Sequence, residues 1–422
     1  MTEKLFTRNF ILLITGQLTS LFGNFILKLA LSMYVLETTG SAAVFAGILS
    51  VAVIPTIILS PLGGIFADRV NRKKIMVASD ALTGMAVLCA VMMIAGKNDM
   101  AVISTLLIIL SVLGAFETPT VQACIPTMLK GGNIMKGNAV VNQVASLSYL
   151  TAPMLGSVLY AAFGLKPVMS ASVGCFFVTA LLECFIKLDY QTPQRNDGIL
   201  KSVKQDFFFS MRFIFKDQEN ILKMLLLTAF SGFFVMGVTV VGLPYIVRTV
   251  LGLGAQYYGA LESAQAVAAI LGSIVAGLIA KRLKIHRLSY IFALIGIFII
   301  PAGVVFLLPI GNTAKYAVNV ISFCGVQAAI SIFSIFAVSL IQQRTPNHLI
   351  GKVMAYTSAI TMCAQPLGQI VYGFLFDRFR NAVYFILLPT GIMVCLAGLT
   401  ARRLFRKMEK EQQEILSANE KI

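Results

Sequence analysis

The sequence predicts an all-α integral membrane protein of twelve transmembrane helices, built as two six-helix parallel repeats. Composition, long apolar runs and a short repeat at half the chain length lead to this prediction. The 422 residues are 58% hydrophobic and only 12% charged, with a mean hydropathy of +0.85. So few polar side chains cannot cover a soluble globule, and the chain is expected in a bilayer.

Apolar runs long enough to cross a bilayer recur along the whole chain. A spanning helix needs about 20 mainly apolar residues, whereas barrel strands would show stretches of about ten residues that alternate in polarity. The runs are much longer than such strands, so they predict helices. The predicted spans are residues 9–36, 42–66, 74–96, 101–128, 138–163, 165–187, 221–248, 256–280, 287–309, 314–341, 351–376 and 383–401.

The positive charge of the chain is distributed unevenly between the two sides of the predicted bundle. With the N-terminus placed in the cytoplasm, most of the 34 Lys and Arg residues fall in cytoplasmic segments. This bias follows the positive-inside rule and predicts that both termini are cytoplasmic. The chain is expected to be a multi-pass protein of the plasma membrane, which in a bacterium is the inner membrane. A nucleic-acid partner would need a basic face on a soluble module, which the sequence does not offer.

Two short motifs occur twice at nearly the same spacing along the chain. Residues 64–69 align with 277–282, and residues 156–160 align with 368–372. A duplicated transporter would give two parallel bundles with a substrate site between them. The predicted domains are an N-terminal bundle (1–188), a cytoplasmic linker with an amphipathic interfacial helix (189–220), a C-terminal bundle (221–401) and a cytoplasmic tail (402–422).

Ionisable residues inside the spans are the first candidates for function, because they are costly in a membrane. Glu117 lies about 16 Å from the cytoplasmic end of the fourth span, near the bilayer midplane, and is the candidate proton site. Its alternative role is structural, as a carboxyl group satisfied by neighbours beside Pro119. Lys28 and Glu262 lie at similar heights and are candidates for a bridge that closes the outer side of the cavity. Their alternative is that Lys28 snorkels outward and Glu262 reaches water.

The charged loop of residues 63–76 carries the most specific motif in the chain. Its pattern Gly-x-x-x-Asp-Arg-x-x-Arg-Lys-Lys is similar to the loop between helices 2 and 3 of the major facilitator superfamily. Asn71 stands where that loop has glycine, and asparagine tolerates left-handed backbone at small cost. Together with Asp80 and Pro119, the loop resembles the macrolide-efflux, or drug:proton antiporter-3, branch of the superfamily.

The resemblance implies the major facilitator fold and a role for the loop as an inner gate. Its gate residues would be Asp68, Arg69 and Arg72, to which the sequence adds Lys73 and Asp80. Small residues and a proline in the spans are expected to permit close helix packing. These positions are Gly64, Pro153, Gly156 and Gly368.

Together with these observations, the resemblance implies a secondary active transporter that exports hydrophobic small molecules, such as macrolide-like drugs or siderophores, by alternating access in exchange for protons. The alternatives are a proton-coupled symporter that imports a small metabolite and, less favoured, a non-transporting membrane sensor. An enzyme is not expected, because no catalytic constellation, metal motif or cofactor motif occurs and the only histidines are His286 and His348. The expected partners are the substrate, protons and lipid, and the chain is expected to be a monomer without nucleic acid.

Overall fold

A computed structural model describes residues 5–94, 98–130, 132–188, 219–279, 283–345 and 350–419. Twelve helices in this part of the chain are long and apolar enough to cross a membrane, which confirms the predicted fold class. The thirteen long α-helices of this part of the chain, of which α12 and the start of α13 form the twelfth span, are α1 (Arg8–Thr39), α2 (Ala42–Arg69), α3 (Arg72–Met93), α4 (Asp99–Met128), α5 (Gly132–Phe163), α6 (Leu165–Cys184), α7 (Glu219–Met236), α8 (Ala255–Ile279), α9 (Leu288–Val304), α10 (Asn312–Arg344), α11 (Ile350–Arg378), α12 (Tyr384–Thr400) and α13 (Arg402–Asn419).

The first helices begin and end at residues that satisfy their free backbone groups. Gly40 adopts a left-handed conformation (φ 61°) and ends α1, and the side chain of Ser41 then accepts the Val44 N–H at the start of α2. Asn71 caps α3 by accepting the Lys74 N–H. Its φ is −58°, so the left-handed conformation considered for this position is wrong. Asparagine serves here because its short amide oxygen reaches the helix terminus.

The chain divides into two compact units. Unit 1 comprises Met1–Arg195 and Pro244–Ser263, and unit 2 comprises Asn196–Leu243 and Ala264–Ile422. In unit 1, α1 packs on α5 and α3 packs on α6, while in unit 2, α7 packs on α11 and α9 packs on α12. The same pairs of positions therefore meet in both halves, as a duplicated six-helix bundle requires.

The segment after α7 departs from regular α-helix. Residues Gly237–Gly242 and Ile246–Val250 are π-helical and flank the α-helical turn Leu243–Tyr245. A Cβ added at Gly237 would lie 2.4 Å from the Tyr372 ring, so only glycine allows this approach to α11. Wide turns of this kind often mark functional positions in helices.

The final helix packs against unit 2. Phe405 and Met408 of α13 are completely buried, and the Arg344 guanidinium donates to the Met408 carbonyl oxygen at 2.5 Å. Nδ1 of His286 lies 2.6 Å from a carboxylate oxygen of Glu409. The predicted tail 402–422 is thus helical as far as residue 419, and its first two turns pack against the rest of unit 2. Most of the predicted linker, residues 189–218, lies outside the described residues.

Candidate functional site

Glu117 occupies α4 in the interior of unit 1 and is half-buried. Its carboxyl group lies within hydrogen-bonding reach of the Ser20 hydroxyl on α1, and the charge of Lys28 on α1 acts on it. Lys28 itself is exposed. The structure therefore places a cation and a hydroxyl group of α1 near a carboxyl group of α4.

The backbone hydrogen bonding of α4 is interrupted two residues after Glu117, at Pro119. Pro119 lacks an N–H, so the carbonyl oxygen of Ala115 loses its ordinary helical donor. The backbone of Gly63 on α2 lies against this oxygen. A Cβ added at Gly63 would lie only 2.1 Å from the Ala115 oxygen. The proline and the glycine thus act together to bring α2 against α4 beside Glu117.

Asp80 is completely buried on α3 and contacts α1 and α6. The Ser20 hydroxyl donates to its Oδ1 at 2.9 Å. On its other side lies the carboxyl group of Glu183, which is also fully buried. The inner-gate role assigned to Asp80 stays a prediction, and the described contacts connect it to Glu117 through Ser20.

Glu183, inside the predicted sixth span, is not among the residues that the sequence singled out. The signal that identifies it is helical spacing. Ser172, Phe176, Thr179 and Glu183 recur every three or four residues on the buried face of α6. A charged residue in register with such a face points into the bundle rather than toward water.

Lys28 and Glu262 form no ion pair among the described residues. Glu262 instead accepts a hydrogen bond of 3.0 Å from the Tyr258 hydroxyl, one turn earlier on α8. The charged partner of Lys28 is Glu117. The bridge expected from their similar heights stays a prediction.

The charged loop is described only in part. The Arg72 guanidinium donates to the carbonyl oxygen of Ala123 on α4 at 2.9 Å, and Lys73 is half-buried at the start of α3. The side chains of Gly64, Asp68 and Arg69 lie outside the described residues, although their backbone forms the end of α2. Arg72 thus connects the loop to the helix that carries Glu117.

Gly156, Gly368 and Pro153, three of the four predicted packing positions, lie at close helix contacts. A Cβ added at Gly156 would lie 3.1 Å from the Ile26 Cα on α1, and one added at Gly368 would lie 2.0 Å from the Phe233 carbonyl oxygen on α7. Pro153 is buried on α5, and its carbonyl oxygen lies against Gly259 of α8. These contacts set the spacing of α1 on α5 and of α7 on α11.

The sequence did not predict an ion pair at the C-terminal end of α1. The Arg248 guanidinium binds the carboxylate of Glu37, which also accepts a hydrogen bond of 2.6 Å from the Tyr160 hydroxyl on α5. Arg248 donates further to the Leu253 carbonyl oxygen at 2.6 Å. The π-helical turn Ile246–Val250 positions Arg248, and this conformation has no signature in the amino-acid pattern.

Unit 2 contains a cavity of about 450 Å³ whose lining is mainly apolar. This volume lies within the range of about 300–1,000 Å³ that is usual for small-molecule sites. None of the described residues that line it is charged. The lining combines aliphatic, aromatic and methionine side chains with a few hydroxyl and amide groups, among them Met236, Met354, Met362, Phe333, Thr361 and Gln365.

The sequence matches known families over most of its length. A family model described as Major Facilitator Superfamily matches residues 13–368. The chain belongs to the major facilitator superfamily. It is therefore a transporter rather than an enzyme, and a multi-pass protein of the plasma membrane that binds a small-molecule substrate within the bilayer.

Curated relatives and solved structures agree with this family. The chain is 23% identical over 387 residues to macrolide efflux protein A of Streptococcus pyogenes, covering 90% of this chain and 92% of that protein. It is 22% identical over 414 residues to the multidrug efflux pump Tap of Mycolicibacterium fortuitum, covering 94% and 96% of the two chains. These similarities confirm the resemblance to macrolide-efflux proteins.

The fold is shared with superfamily members of several kinds. A crystal structure of the peptide transporter POT has a TM-score of 0.76 at 13% identity and covers 95% of both chains. A D-xylose-proton symporter has a TM-score of 0.71 at 16% identity and covers 92% of this chain and 96% of that chain. At these identities the structural likeness establishes the fold alone.

Proposed function

We propose that this superfamily member exports hydrophobic small molecules of the macrolide class from the cell, in exchange for protons, by alternating access. The observation that carries the proposal is the cavity of unit 2. An uncharged lining rich in methionine suits bulky apolar molecules of varied shape, because the thioether side chain adapts to irregular surfaces. The few hydroxyl groups, such as that of Thr361, orient a cargo that carries scattered polar groups.

Glu117 is the proposed site of the exchanged proton. Its carboxyl group lies inside the bundle, where an ion is costly and protonation is easily coupled to a change of surroundings. The positive charge of Lys28 stabilises the ionised form. Loss of the proton therefore leaves an ion pair, and binding of the proton releases Lys28.

Two further elements are proposed to close the ends of the transport path. Arg72 and Lys73, with Asp68 and Arg69, form the inner gate, in which Arg72 holds the charged loop against α4. The positive-inside distribution supports a cytoplasmic position for this loop and for both termini. We place the ion pair of Arg248 with Glu37 at the opposite end. The proposed functional state is a monomer, since one chain supplies both units.

Accumulation of a macrolide in cells tests this proposal. Cells that produce the wild-type protein should accumulate less macrolide and tolerate more of it than cells with empty vector. A protonophore should abolish the difference. Glu117→Gln keeps the shape of the side chain but cannot ionise, so it should raise accumulation to the empty-vector level.

The matched control is Glu409→Gln. It makes the same substitution at a carboxylate of α13, which contacts His286. Equal membrane levels of the three proteins are checked by immunoblot. Accumulation that is the same in cells with empty vector, wild type and Glu117→Gln would rule out macrolide export.

A further inference from the structure

Asp80 and Glu183 form a pair of carboxyl groups in the interior of unit 1, on α3 and α6. Both side chains are 0% exposed, and their carboxyl groups lie within hydrogen-bonding reach of each other. Ser20 donates to Asp80 Oδ1. Neither Asp80 Oδ2 nor either carboxyl oxygen of Glu183 has a donor among the described residues. Three buried acceptor oxygens of the two groups therefore lack a donor in the described part of the chain.

Such an arrangement is unstable when both groups are ionised. Two adjacent anions in an apolar interior repel each other and lose their hydration, so one of a close carboxyl pair holds a proton. With one proton, the protonated group donates to its neighbour and the pair carries a single charge. The proton then belongs to the pair rather than to either residue.

Among the described residues, the side chains around the pair supply no hydrogen bond to Asp80 Oδ2 or to the Glu183 oxygens. On α4, Cys124 is near Glu183, and the Arg72 guanidinium is directed at the carbonyl oxygen of Ala123. On α6, the Thr179 hydroxyl donates to backbone oxygens of Gly16 and Cys175. Lys28 acts on Glu117.

Ser20 connects the pair to Glu117. Its hydroxyl donates to Asp80 and lies within reach of Glu117. A hydroxyl group has one proton to donate and lone pairs that accept. It can therefore accept the proton of Glu117 while passing its own to Asp80. The residues Glu117, Ser20, Asp80 and Glu183 thus form one continuous path through α4, α1, α3 and α6.

We propose that Asp80 and Glu183 together form a second proton-binding site, and that the Ser20 hydroxyl carries the proton between this site and Glu117. In each transfer, the O–H bond of Glu117 breaks, a bond forms at the Ser20 oxygen, and the former Ser20 proton joins the Asp80–Glu183 pair. Glu117 becomes a carboxylate beside Lys28, and the total charge is unchanged. This role rests on the proposed exchange of protons for cargo.

Infrared spectroscopy of the purified full-length protein in nanodiscs tests the site without any cargo. At neutral pH, the wild type should show the carbonyl stretch of a protonated carboxyl group shielded from water. Glu183→Gln should lose one such band, and Glu409→Gln should retain it. A spectrum of folded Glu183→Gln that matches the wild type in this region would overturn the proposal.

A second variant leaves the pair intact and tests the path. Ser20→Ala should keep the carboxyl band, but the band should shift severalfold more slowly after transfer into D₂O, because the hydroxyl relay is missing. Thr15→Ala changes an exposed hydroxyl on the same helix and should exchange at the wild-type rate. An unchanged rate in Ser20→Ala would refute the relay. Because no cargo is present, failure of the export proposal leaves these outcomes unaffected.

Discussion

At the scale of single residues, the position of Glu117 depends on a proline and a glycine on different helices. Pro119 leaves the Ala115 carbonyl oxygen without its helical donor, and only a residue without a side chain lets α2 approach that oxygen. Neither residue has an ionisable or hydrogen-bonding side chain. Together they fix the distance between the helix that ends at the charged loop and the helix that holds the proposed proton site.

Gly63→Ala should therefore destabilise the protein. The added Cβ would lie 2.1 Å from the Ala115 oxygen, and forcing the helices apart costs about 1–3 kcal/mol. The matched control is Gly47→Ala on the same helix, where an added Cβ meets nothing within 4 Å and helix propensity favours alanine by about 1 kcal/mol. Size-exclusion chromatography after heating measures the fraction that remains folded. Equal loss for both variants would contradict this account of the contact.

At the scale of elements, the irregular segment after α7 positions Arg248. The π-helical turn Ile246–Val250 turns this side chain toward Glu37 at the end of α1, where the Tyr160 hydroxyl supports the same carboxylate. Part of the chain's C-terminal half, Pro244–Ser263, thereby belongs to unit 1. This is the arrangement expected of a contact that forms in one transport state and breaks in another.

Glu37→Gln should loosen this segment. The variant loses the ionic contact with Arg248, and pairs that are partly exposed stabilise by up to about 1 kcal/mol. Hydrogen–deuterium exchange should then become faster for residues 246–253, where the Leu251 N–H bonds to the Ile246 carbonyl oxygen. Glu409→Gln, in unit 2, should leave this peptide unchanged. If residues 246–253 exchange at the same rate in Glu37→Gln and in the wild type, the ion pair does not stabilise the segment.

Long apolar helices could be predicted from the sequence, whereas contacts between them could not. The twelve spans follow from hydropathy, which is a property of each segment alone. Glu183 was missed because its depth depends on how α6 rotates against α1 and α3. Arg248 was missed because a π-helical turn has no compositional signature. Glu117 could be found because a carboxyl group in the middle of an apolar run is unusual wherever its helix packs.

At the scale of the whole molecule, one chain combines two proposed functions. Unit 1 holds the carboxyl groups proposed to bind protons, and unit 2 holds the apolar cavity proposed for the cargo. Exchange requires that the proton sites of unit 1 and the cargo cavity of unit 2 are occupied in alternation, since a cargo molecule leaves only when a proton enters. An importer with the same fold would bind both together. The direction in which a pH gradient drives the cargo therefore separates the two mechanisms.

Transport of a radiolabelled macrolide into liposomes that contain the purified protein measures this direction most directly. With an acidic lumen and no membrane potential, exchange should accumulate the macrolide inside, beyond the level in protein-free liposomes. That excess should disappear with a protonophore and in Glu117→Gln. Accumulation of the macrolide in liposomes with an alkaline lumen, or an excess that does not depend on the pH gradient, would contradict proton-coupled export.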